Sequence, residues 1–154
     1  MTKEERYIQF VSDYKRLISG ETEEISALAN TSAAIHDEFH FFWVGFYIVK
    51  EGKLVLGPFQ GSVACSYIQF GKGVCGTAWK EEKTQIVPDV EQFPGHIACS
   101  PLSRSEIVVP VFVNNEVKAL LDIDSEHLNT FDDIDRQYLE QVTSILADTI
   151  YNKG

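Results

Sequence analysis

The run from Phe41 to Phe59, FFWVGFYIVKEGKLVLGPF, restricts the fold of this chain more than any other stretch. Its dense β-branched and aromatic content favours strands, and Glu51-Gly52 between Val49 and Lys53 marks a hairpin turn. A strand that meets water on one side alternates polar and apolar residues, and this one does not. Trp43, Gly45, Tyr47 and Val49 share one face, while Phe42, Val44, Phe46 and Ile48 share the other. Both faces of the sheet must therefore be covered, with helices expected on one side and loops or a ligand on the other. On this pattern alone Trp43 and Tyr47 read as core aromatics.

The rest of the chain supplies the covering elements. Tyr7, Phe10, Val11, Tyr14, Leu17 and Ile18 predict an amphipathic helix over Glu4–Ile18, broken by Gly20. A second helix is expected from Thr22 or Glu23 to about Phe39, with Thr22 as its cap. Beyond the hairpin, a short strand is expected over Ala64–Phe70, a short helix over Val74–Glu82 and a brief strand over Gln85–Val87. Pro88 to Arg104 keeps no period and reads as a long ordered loop, a place where sites are often built. Ser105–Val113 and Val117–Ile123 are β-rich and joined at Asn114-Asn115, a hairpin signal. A last helix is expected from about Phe131 to Tyr151, with a capping pattern from Thr130 to Asp133. Consecutive strands joined by tight turns imply an α+β fold with a six-stranded, mostly antiparallel sheet. The terminal helices would cover one face, leaving the other to glycine- and proline-rich loops.

At 154 residues, a single domain over 1–154 is the expectation, large enough to bury about 68–70% of its unfolded surface. The formal charge of −10 offers no basic stripe for a nucleic-acid backbone. MTKEERYIQF lacks the apolar core of a secretion signal, and no run approaches the length of a membrane span, so a soluble cytoplasmic protein is expected. Three cysteines are an odd number, ill suited to a static disulfide framework.

All three cysteines, six of the ten glycines and four of the five prolines fall between Gly57 and Glu106, which makes that segment the candidate site. The wide spacing of Cys65, Cys75 and Cys99 is unlike paired zinc ligands, although His96 makes a Cys3His set conceivable. Three incidental buried thiols are a second reading. The third is a reactive thiol with a second to resolve its oxidised form, which requires folding to bring their Cα atoms within about 7 Å. Cys99, in the long loop beside Gly95, His96 and Ser100, is the best placed nucleophile, with Arg104 near enough in sequence to favour thiolate. Glu106 opens one strand, and Asp122 and Asp124 end the next on a common face. If these enter one cavity with Cys99, they form an anionic pocket able to hold an ammonium group or share a proton.

GPFQG at 57–61, AC at 64–65, GKGVCGTAW at 71–79, QIVPDVEQFPGHIACS at 85–100, SEIVVP at 105–110 and LLDIDS at 120–125 together resemble the free methionine-(R)-sulfoxide reductases, which are built on one GAF domain. The resemblance spans about Trp43 to Phe131 and implies a GAF-like fold. It implies Cys99 as nucleophile, Cys65 as principal resolving cysteine, and Cys75 in a supporting or alternative resolving role. Glu106, Asp122 and Asp124 match the acidic cluster that holds the substrate amino group and helps protonate the sulfoxide; Glu106 and Asp124 are thus also catalytic candidates. Trp43 and Tyr47 match the aromatic wall around the methyl sulfur end, which replaces the core reading given above. The implied reaction is reduction of free L-methionine-(R)-S-oxide through a sulfenic acid and an intramolecular disulfide. Thioredoxin would recycle the disulfide, with no cofactor or metal. Two departures stand out: Ser100 replaces an aspartate common in the family, and Lys118-Ala119 replaces smaller residues. A homodimer through the terminal helices is left open. The rival readings are a non-enzymatic GAF module that binds a metabolite and a redox sensor that uses the same disulfide without turnover.

Overall fold

The computed structural model describes residues 1–97 and 99–152. Ala98, inside the loop expected over Pro88–Arg104, and the last two residues of the expected 1–154 domain lie outside the described residues. Two helices open the chain, α1 (Lys3–Ile18) and α2 (Glu24–Phe39). Thr2 caps α1 in a reciprocal box with Glu5. Thr22 does not cap α2. Its N-cap is Glu23, without a side-chain bond, and the Glu21 carboxylate instead accepts from the Thr22 and Glu23 amides.

The predicted hairpin forms as β1 (Trp43–Lys50) and β2 (Lys53–Gln60), turning at Glu51 and Gly52, both with positive φ. β3 is only Tyr67–Gln69, followed by α3 (Gly73–Glu81) and β4 (Gln85–Val87). A 3₁₀ turn, Val90–Gln92, interrupts the long loop that was expected to lack regular structure. β5 (Ser105–Val113) and β6 (Glu116–Ser125) pair through Asn114 and Asn115, again at positive φ, and α4 (Asp133–Ile150) closes the fold. The strands form one antiparallel sheet in the order β3-β2-β1-β6-β5-β4. Pro58 falls where β2 slips register against β1, and Pro110 lies beyond the reach of β4; both are positions where a missing N–H is tolerated.

Each face has its own core, as the doubly apolar β1 requires. Val44, Phe46, Ile48, Ile107, Val109, Leu121 and Ile123 pack against α1, α2 and α4. The opposite face carries Trp43, Tyr47, Val108 and Leu120, and α3 lies over it with Val74, Cys75 and Ala78 buried. Loops alone were expected there. The short helix shares the task because Gly76 lets it press against β3, where a Cβ would come within 2.6 Å of the Gln69 carbonyl.

The α4 cap also differs from expectation. Asp132, not Thr130, is the N-cap and forms a reciprocal box with Asp135. Thr130 Oγ1 is occupied instead, donating to Ser125 Oγ at 2.7 Å. Among the described residues no helix is long and apolar enough to cross a membrane.

Candidate active site

The register of the sheet gathers the acidic residues. Val87 pairs with Glu106, Glu106 with Asp124 and Asp124 with Trp43, so four strands contribute one row across the sheet. In the next row on the same face, Val108 pairs with Asp122 and Asp122 with Gly45. A Cβ at Gly45 would collide with Phe59 and with the Trp43 ring, so glycine is what lets that ring lie over the second row. Glu106, Asp122 and Asp124 are all buried, at 6%, 6% and 9% exposure. Three carboxyl groups taken out of water together cannot all ionise. Burial, then mutual repulsion, pushes Glu106 and Asp124 well above the usual carboxylate range. Asp122 is raised by burial too, but its neighbours Glu106, Cys75 and Asp124 oppose the rise. Asp122 is thus the member of the trio that its neighbours favour as the anion.

These groups form the floor of a pocket walled by Trp43 and Tyr47 and rimmed by Cys99, His96 and Ile97. The Cys65–Cys99 disulfide is formed across the rim, joining residues 34 apart with a Cα–Cα distance of 5.3 Å. That is inside the reach required for a resolving pair. Cys75 remains a buried free thiol on the first turn of α3, and burial followed by the charge of Asp122 pushes its pKa well up. Such a thiol is a poor nucleophile at neutral pH. The Cys3His zinc set is split: Cys65 and Cys99 are bonded to each other, while Cys75 faces the carboxyl groups. Among the described residues, Cys75, Glu106 and Asp122 are the group whose ligand atoms come within 4.8 Å of one another.

The aromatics are placed where the sequence put them, on the pocket face of β1, and they also hold the Cys65 loop. Trp43 Nε1 donates to the Ser62 carbonyl at 2.9 Å, and Tyr47 Oη donates to the Cys65 carbonyl at 2.8 Å. Burial, reinforced by the acidic floor, raises the Tyr47 phenol far above its ordinary value, so it stays a donor. Arg104 is exposed and is not among the residues that line the pocket. Two residues carried more than their sequence suggested. His96, named above only as a conceivable zinc ligand and a loop neighbour of Cys99, lines the pocket, and burial lowers its pKa. Ser103, not singled out at all, lines the pocket with Asp124 and opposes the rise in its pKa. The position of His96 three residues before Cys99 was the available signal; Ser103 had none.

Comparison with known proteins places this geometry in context. A GAF domain family model matches residues 21–150. The chain is 54% identical over 146 residues to GAF domain-containing protein A of Dictyostelium discoideum, covering 94% of this chain and 92% of that protein. It is 44% identical over 158 residues to the free methionine-R-sulfoxide reductase of Escherichia coli (strain K12), covering 99% and 96%. Among solved structures, it matches the free methionine-R-sulfoxide reductase of Neisseria meningitidis in complex with its substrate. That match has a TM-score of 0.95 and 46% identity, and covers 97% of this chain and 90% of that one.

Proposed function

The chain belongs to the free methionine-R-sulfoxide reductases of the GAF domain family, and from that premise we propose that it reduces free L-methionine-(R)-S-oxide to methionine. The observation that carries this reading is the Cys65–Cys99 disulfide at the mouth of a pocket floored by three buried carboxyl groups.

Cys99 is the nucleophile. Its thiolate attacks the sulfoxide sulfur, and the oxygen passes to Cys99 with one proton from the floor. The substrate S–O bond breaks, the sulfide leaves reduced by two electrons, and Cys99 is left as the sulfenic acid. Glu106 and Asp124, both raised by burial and then by mutual repulsion, are the floor groups that keep a proton most readily and are the donors. Cys65 then attacks Cys99 Sγ, forming the disulfide as hydroxide leaves with a proton as water. A protein dithiol of the thioredoxin type reduces the disulfide, as suits a cytoplasmic enzyme. Cys75 supports the floor through Asp122 and is the reserve thiol.

Specificity for the free amino acid follows from the same floor. Asp122, with Glu106 and Asp124, receives the ammonium group, while Trp43 and Tyr47 enclose the methyl sulfur end. An amide nitrogen in a peptide would leave those buried carboxyl groups without a cationic partner. The test is thioredoxin-coupled turnover on separated R and S epimers of free methionine sulfoxide, with Cys99→Ser alongside. Turnover of R alone, lowered at least ~10³-fold in the variant, is expected. Absence of turnover with fully reduced protein would return the chain to the ligand-binding or redox-sensing readings.

A further inference from the structure

The pocket floor contains an orphan acceptor. Asp122 Oδ1 is buried and, among the described residues, has no hydrogen-bond partner, although its side chain lines the cavity. Beside it sits the Cys75 thiol, 3% exposed and outside the disulfide. One ligand atom from each of Cys75, Glu106 and Asp122 lies within 4.8 Å of the other two. No lysine or arginine is among the described residues lining the cavity.

We propose that Cys75 Sγ with one oxygen each from Glu106 and Asp122 forms a binding site for a single thiophilic divalent cation of the zinc and cadmium class. Three atoms no farther apart than 4.8 Å leave a point about 2.8 Å or less from each, against zinc–ligand distances of about 2.0–2.3 Å. A contraction of about 0.5–0.8 Å per ligand closes the site, within reach of small side-chain rotations. The donor set selects the ion. Magnesium and calcium take six or more oxygen ligands, whereas one sulfur and two carboxylates with an open fourth position suit a borderline-soft, four-coordinate cation. Binding exchanges ligand protons for the cation and moves no electrons. The orphan oxygen of Asp122 gains a partner.

The site shares Glu106 and Asp122 with the proposed ammonium seat. Cation and substrate therefore exclude one another, and the cation acts as an inhibitor of the resting enzyme rather than a cofactor. That consequence rests on the function proposed above; binding itself does not.

The oxidised protein provides a clean test, because Cys65 and Cys99 are bonded and Cys75 is its one free thiol. Cadmium titrated into oxidised protein should produce a thiolate-to-cadmium charge-transfer band that saturates at about one equivalent. Cys75→Ser should lose the band. Asp122→Asn and Glu106→Gln, which keep the thiol, should each weaken cadmium binding at least tenfold, with circular dichroism confirming that both fold. Absence of the band in the wild type, or unchanged affinity in both carboxyl variants, would overturn the site. Free methionine, which carries the same amino group as the substrate, should raise the cadmium midpoint. A midpoint unmoved by saturating methionine would overturn the shared seat while leaving the cation site intact.

Discussion

Tyr47 has two loyalties within one side chain. Its ring forms a wall of the pocket, and its hydroxyl holds the Cys65 carbonyl at 2.8 Å, fixing the loop that must deliver the resolving sulfur. Tyr47→Phe keeps the wall and removes the tether, a bond worth about 0.5–1.5 kcal/mol. The first turnover, measured as methionine released per enzyme in a quenched burst, should be nearly unchanged. Disulfide closure, followed by loss of free thiol, should slow about two- to tenfold, in line with that energy. Equal slowing of both steps would mean that the hydroxyl acts on the substrate instead. The aromatic pair also shows how far residue-level reading reaches. Their shared face was evident from the two-residue period of β1, but their bonds to Ser62 and Cys65 cross 19 and 18 positions and left no local trace.

At the scale of elements, α1 and α4 are joined by one buried carboxylate. Asp135, 2% exposed, accepts from Tyr7 Oη at 2.5 Å and Lys3 Nζ at 2.7 Å while its other role is to close the α4 cap on the Asp132 amide. Asp135→Ala strips a partner from each of those donors and should cost about 3 kcal/mol, read as a lower urea midpoint with unchanged slope. The pocket lies on the far side of the sheet, so turnover by the folded fraction should persist. The capping motif itself was legible, since a Thr130–Asp133 pattern and an Asp132–Asp135 pattern have the same spacing. The choice between them was not: Ser125, at the end of β6, takes the Thr130 hydroxyl, and that contact exists only once the strand is in place.

The whole molecule carries the acidic floor as a liability. Glu106 and Asp124 have folded pKa values well above their ordinary ones, so between those limits the native state binds more protons than the unfolded chain. Below the ordinary carboxyl range of about 4 both states are protonated and the floor costs nothing on this account. As pH rises through the window, unfolding releases protons and stability falls. Glu106→Gln removes one of the titrating groups. Its melting temperature should gain on the wild type as pH rises above the ordinary carboxyl range of about 4, while turnover is lost. A gain independent of pH would place the Glu106 effect in packing rather than titration. Periodicity and turn chemistry by themselves determined the helices, the two hairpins, the mostly antiparallel character of the sheet and its double covering, because interactions over a few residues set those features. The family motifs added the candidate cysteines and carboxyl groups. Those motifs also implied the Cys65–Cys99 pairing that the structure shows, while only the tertiary structure decided that α3 roofs the second face with Cys75 turned to Asp122 and that three carboxyl groups leave water together. Each of those depends on strand register and on loops closing over long separations, and neither is encoded within any one segment.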